Sequence, residues 1–127
     1  MNYTVSVRSS ISAAHSLPGY RGRCSRIHGH TWVIEAEFCG SRLGESGMLL
    51  DFDEAKGALE EALKPYDHSY LNEVESFTEL APTAENVARV VFEALKSKVK
   101  LKGVKLNSVR VWESPSTMAS YSEIQGE

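Results

Sequence analysis

The chain has 127 residues, of which 42% are hydrophobic, and a formal net charge of -3. That length predicts one domain, residues 1–127, with a core of no more than two layers. The acidic balance argues against nucleic-acid binding by bulk electrostatics, and no apolar run approaches the roughly 20 residues of a membrane helix.

The N-terminus lacks a basic stretch followed by an apolar one, so no signal peptide is expected and the cytoplasm is the expected location. In that setting the two cysteines, Cys24 and Cys39, are expected to stay reduced.

From Tyr3 the odd positions read Tyr3, Val5, Val7, Ser9, Ile11, Ala13 and His15. Period two with mostly apolar members predicts a long strand with one buried face. Leu17-Pro18-Gly19-Tyr20 breaks it as a turn. From His28 the even positions read His28, His30, Trp32, Ile34, Ala36 and Phe38, a second strand with its histidines on the apolar face. Cys39 has the opposite phase and reads as a small core or edge residue. Residues 40–47 form a loop rich in Gly and Ser. Asp51 or Asp53 caps a helix whose stripe is Phe52, Ala55, Leu59, Ala62 and Leu63, and Pro65 stops it. Residues 66–82 read as irregular. Thr83 is the N-cap of a second helix with the stripe Val87, Val90, Val91, Ala94 and Leu95. A third strand is expected over about residues 105–113 and a last one over about 118–124, joined by the turn Ser114-Pro115-Ser116. Strands at both ends with helices grouped between them predict an α+β fold, an antiparallel sheet with the helices on one face. The open edges and the other face of that sheet call for a partner, so an oligomer is expected.

Strand alternation puts His28 and His30 on one face, about 6.5 to 7 Å apart along the strand, which suits two imidazoles converging on one ion. Gly29 between them removes a side chain from the opposite face, where another backbone could approach. A hairpin-like connection would bring His15 alongside. Three imidazole nitrogens fit Zn2+ better than calcium or magnesium. His-x-His alone is a weak signal, and separate structural histidines are the plain alternative. Cys24 is either a fourth ligand, which would close the site as a structural one, or a base or nucleophile outside the metal shell. Arg21, Arg23 and Arg26 flank it. They either stabilise a thiolate or form an ordinary solvated loop.

Several motifs in register resemble the 6-pyruvoyl-tetrahydropterin synthase superfamily over nearly the whole chain. Ser12-Ala13-Ala14-His15 resembles its first ligand motif, and Cys24-x-x-x-His28-Gly29-His30 its catalytic cysteine and remaining ligands. Leu50-Asp51-Phe52 and Pro82-Thr83-Ala84-Glu85-Asn86 resemble its two helix starts. The stretch from Tyr66 through Asp67 and His68 to Asn72 resembles its Asp-His loop, and Val111-Trp112-Glu113 its pterin anchor. Ile11 departs from the family, which often has Phe there. The three residues between Cys24 and His28 resemble the 6-carboxy-tetrahydropterin synthase branch, whereas the pyruvoyl enzymes tend to carry a longer gap.

The resemblance implies a tunnelling fold of order ββααββ: a four-stranded antiparallel sheet with two helices on one face, assembling into an oligomeric barrel. It also implies a homo-oligomer, a hexamer built as a dimer of trimers. Zinc on His15, His28 and His30 and a pterin triphosphate substrate, 7,8-dihydroneopterin triphosphate, are implied, with products belonging to 7-deazapurine (queuosine or archaeosine) biosynthesis. Cys24 is then the base, Asp67 and His68 the proton-transfer pair, and Glu113 the residue that grips the pterin. Thr83 lies near the bound pterin in the family. Arg26 and the start of the second helix are candidates for the triphosphate.

Overall fold

The computed structural model describes residues 2–19 and 25–123. Cys24, Arg21, Arg23 and Ile124 lie outside these residues. Strand β1 (Tyr3–His15) pairs antiparallel with β2 (His28–Gly40), from Tyr3 opposite Gly40 to His15 opposite His28. The expected alternation holds. Val7, Ile11, Ala13 and His15 of β1 are buried, as are Trp32, Ile34, Ala36 and Phe38 of β2. Cys39 is half-buried in the opposite phase, beside Lys105.

Helix α1 (Phe52–Leu63) is capped by Asp51, whose carboxylate accepts the Asp53 N–H at 2.7 Å. Ala55, Leu59, Ala62 and Leu63 face the core, but Phe52, expected in that stripe, is 63% exposed. It is the first residue of the helix, before any turn is complete. Residues 66–82 hold more order than their composition predicts. A two-residue strand, β3 (Ser69–Tyr70), runs parallel to β1 and is followed by single 3-10 turns at Leu71–Glu73 and Glu75–Phe77. Helix α2 (Ala84–Lys98) starts at Thr83, whose hydroxyl accepts the Asn86 N–H at 3.1 Å. Its buried residues are Val87, Ala88, Val91, Phe92 and Leu95. The stripe is rotated from the expected one: Ala88 and Phe92 are buried, while Val90 and Ala94 sit at its margin.

Strands β4 (Lys105–Ser114) and β5 (Thr117–Tyr121) form the last hairpin. The sheet order is β3-β1-β2-β4-β5. The main sheet is thus the expected four antiparallel strands, with the helices on one face and the short parallel β3 added at the β1 edge. Both helices pack on the face that carries the buried residues of β1, β2 and β4.

The opposite face carries a polar network with no counterpart in the sequence reading. Glu35 accepts from Arg8 at 2.7 Å and from Arg110 at 2.8 Å, and Glu37 accepts from Asn107 at 2.5 Å. The Arg8 guanidinium lies 4.7 Å from the Trp112 ring centre, a cation–π distance. No helix among the described residues is long and apolar enough to cross a membrane.

Candidate metal centre and active site

The β1–β2 register brings His15 and His28 face to face, and alternation adds His30 on the same side. The three rings pack edge to face with centres 4.5 to 5.3 Å apart. Trp32, fully buried, fixes the floor: its ring touches His15 and His30, and its Nε1 donates to the Ala13 carbonyl at 3.1 Å. The fourth member is Glu113. Strand β4 shifts register between Trp112 and Ser114, and such a bulge re-aims the side chain it carries. Glu113 Oε1 lies 3.0 Å from His15 Nε2 and 2.9 Å from His30 Nε2. His15, His28, His30 and Glu113 form a cluster that could hold a metal ion, with their candidate ligand atoms all within 4.8 Å of one another.

The tautomers follow from the partners. His15 Nδ1 lies 2.7 Å from the Pro82 carbonyl and His28 Nδ1 lies 2.7 Å from the Arg26 carbonyl. A carbonyl only accepts, so each Nδ1 carries the hydrogen and each neutral ring keeps a lone pair on Nε2. Such carbonyl partners are what orient metal-binding imidazoles. The Nε2 atoms of His15 and His30 are buried without a hydrogen-bond partner, despite the nearby carboxylate. A lone pair and a carboxylate oxygen about 3 Å apart repel, unless a cation lies between them or the ring takes a second proton. At His30 no partner fixes the tautomer, so its Nε2 can carry the hydrogen towards Glu113, while a second proton on the ring is disfavoured. Burial pushes its pKa down, Glu113 opposes this, and the neighbouring rings of His15 and His28 add to the lowering, leaving the pKa below its ordinary value. The orphaned His15 nitrogen therefore fits a bound cation, with His28 and His30 beside it, and nitrogen donors with a carboxylate suit a transition metal.

Cys24 lies outside the described residues, and the other expected site residues fall around this cluster. Thr83 caps α2 one residue after Pro82, so the helix start and the His15 anchor are one structure. Arg26 sets the His28 ring through its backbone, and its side chain is exposed. Asp67 was expected to orient His68. Its Oδ1 accepts the Ser12 N–H at 2.9 Å, whereas its Oδ2 stands 3.7 Å from His68 Nε2, beyond hydrogen-bond range. The His68 N–H donates to the Ser12 carbonyl at 2.6 Å, so the pair brackets one residue of β1. Among the described residues, His68 is the non-glycine residue with positive φ, at 54°. Its ring is 81% exposed and borders a cleft with His30, Gly29 and Thr31. Among the described residues, a Cβ placed on Gly29 would meet only the Ala13 carbonyl, at 3.9 Å, so none of their backbone needs the space. A second cleft of about 760 Å³ opens beside the cluster, lined by Arg8, His30, Thr31, Trp112, Glu113 and Ser114. Pro82 as the His15 partner had no signal in the sequence, because its carbonyl is common to every residue type. Trp32 did have one, its even phase two residues after His30.

The fold and the site define an α+β sheet protein with an imidazole and carboxylate cluster that could hold a metal ion at one end of its buried face. The family model described as 6-pyruvoyl tetrahydropterin synthase matches residues 4–124, and the chain belongs to that family. A Synechocystis sp. protein named 6-carboxy-5,6,7,8-tetrahydropterin synthase is 36% identical over 118 residues, covering 88% of this chain and 87% of its own. A Haemophilus influenzae protein of the same name is 31% identical, covering 95% of this chain and 99% of its own. The structure of Caenorhabditis elegans 6-pyruvoyl tetrahydropterin synthase superposes with a TM-score of 0.87 at 31% identity, covering 98% of this chain and 97% of that one.

Proposed function

We propose that this chain, a single domain over residues 1–127, is a zinc-dependent 6-carboxy-5,6,7,8-tetrahydropterin synthase. The reaction converts 7,8-dihydroneopterin triphosphate and water to 6-carboxytetrahydropterin, acetaldehyde and triphosphate, in the 7-deazapurine (queuosine or archaeosine) route. The observation that carries this reading is the convergence of the His15, His28 and His30 nitrogens beside Glu113, at the rim of a cleft of about 760 Å³. The relatives named for the 6-carboxy activity and the three-residue gap between Cys24 and His28 support this branch.

His15, His28 and His30 hold the metal. When bound, zinc supplies Lewis acidity that holds and acidifies the hydroxyls of the substrate side chain. Cys24, four residues before His28, takes the proton from the side-chain carbon as thiolate. His68 is the partner for proton transfer. Its positive φ is a cost that persists where the surroundings over-determine it, here through the Asp67 and His68 bonds to Ser12. Asp67 thus serves His68 by fixing its backbone, not its ring tautomer. Glu113 has two oxygens, so it can face the cluster with one and accept from the amino-pyrimidine edge of the pterin with the other. Thr83 and the α2 start border the substrate, and Arg26 offers a cation for the triphosphate. The β1 edge is covered by β3 only at Ala13 and Ala14, and β5 ends the sheet on the other side. These edges favour a homo-oligomer; the family resemblance adds a hexamer of two stacked trimers, and the cytoplasm is the proposed location.

The superposition on the C. elegans enzyme favours a second reading, a synthase that eliminates triphosphate and stops at the 6-pyruvoyl product. Incubation with dihydroneopterin triphosphate, with acetaldehyde and product mass measured, separates the two. The proposal predicts stoichiometric acetaldehyde, and a pyruvoyl product without acetaldehyde overturns it.

A further inference from the structure

A side-chain amide takes over where the shortest strand of the sheet stops. β3 pairs with β1 through Ser69 with Ala13 and Tyr70 with Ala14. Two more steps of that register would set Asn72 opposite Ser16. The backbone does not continue, because Leu71–Glu73 turns into a 3-10 helix. Instead the Asn72 side chain spans the gap: Oδ1 accepts the Ser16 N–H at 2.9 Å and Nδ2 donates to the Ser16 carbonyl at 2.9 Å. A carboxamide carries one acceptor and one donor group, as a peptide does, so it satisfies both backbone groups at once. The Ser16 hydroxyl meets the Tyr70 hydroxyl at 2.8 Å, and Ser16 is buried. Unmet backbone groups there would be costly.

We propose that Asn72 is a positioning residue for the metal centre, acting through Ser16 on His15; this rests on the metal-binding reading above. His15 is held at its ring by the Pro82 carbonyl and across the sheet by the pairing with His28. On its other side β3 ends at Tyr70, one residue short of it. The Asn72 clamp on Ser16 supplies the missing restraint, so that the His15 Nε2 meets those of His28 and His30 without fraying of the strand end. Partners that orient a ligand from outside the metal shell change metal affinity by about 10-fold to 100-fold when removed.

The test is competition for zinc against a chromophoric chelator, starting from metal-free full-length protein, with thermal melting and circular dichroism on the same samples. Asn72→Ala is expected to weaken zinc binding by at least about tenfold. Ser76→Ala removes a hydrogen bond to Tyr66 in the same segment without touching Ser16, and is expected to keep wild-type zinc affinity. Equal zinc affinity in Asn72→Ala and Ser76→Ala overturns the inference. Should Asn72→Ala fail to fold, Asn72→Asp replaces it: the acceptor remains, the donor is lost, and the same comparison decides. A wild-type protein that binds no zinc would overturn the metal reading itself, an outcome distinct from an unaffected variant.

Discussion

Glu113 has two claims on it, as a gripper of the pterin and as a neighbour of the metal nitrogens. Three imidazoles suffice to hold zinc in an open site, so the carboxylate is expected to matter for turnover more than for metal retention. Glu113→Gln should keep bound zinc within about twofold while losing turnover by about 100-fold or more, as removal of a group that acts in the reaction does. Metal analysis and product formation on one preparation check both halves, and loss of zinc would instead place Glu113 among the ligands. His68→Ala should likewise keep the metal and lose activity. The ring is exposed and makes no hydrogen bond to Asp67, so stability should barely move. At this scale the sequence exposed the histidines through their phase on two strands. It could not expose the Asp67 to Ser12 bond or the Asn72 clamp, because Asp and Asn in an irregular stretch most often bond to their own neighbours.

At the scale of elements, β2 must pass close to the loop that feeds β4. A Cβ built on Gly40 would lie 2.5 Å from the Gly103 carbonyl oxygen and 2.6 Å from Leu49 Cδ1. The leucine tip can swing aside, but the backbone of Gly103, held at φ 79°, cannot. Gly40→Ala is therefore expected to cost about 1–3 kcal/mol, read as a lowered midpoint in urea unfolding, whereas Gly47→Ala tests conformation alone because open space surrounds it. The two long strands and both helices were legible because each carries an apolar period over a dozen residues or so. β3 was not: two residues carry no period, and its pairing is set by Asp67 and His68 docking on β1.

For the whole molecule, the polar face of the sheet makes a prediction about acid. Burial pushes the Glu35 carboxyl up, but the hydrogen bonds and charges of Arg8 and Arg110 outweigh this and hold it below its ordinary value of 4.5. A carboxyl with a depressed folded value adds stability that is complete above its unfolded value and is lost as pH falls through the folded one. Wild-type stability should thus drop more steeply below pH 4.5 than that of Glu35→Gln, measured by urea midpoints across the acid range. Parallel slopes for the two proteins would remove Glu35 from the acid response. The same face lies between the edges of β1 and β5.

The sequence by itself determined the α+β order, the buried phase of the two long strands, the N-cap Thr83 with a first cap at Asp51 or Asp53, and the shared face of His28 and His30 that a hairpin would bring beside His15. All of these follow from short-range periodicity, local hydrogen bonding and one antiparallel register. Only the tertiary structure decided that Glu113 turns into the histidine cluster, that Pro82 sets the His15 tautomer, and that Asp67 holds β1. Each of those depends on a contact between residues more than fifty positions apart, and such contacts exist only once the sheet and helices have packed together.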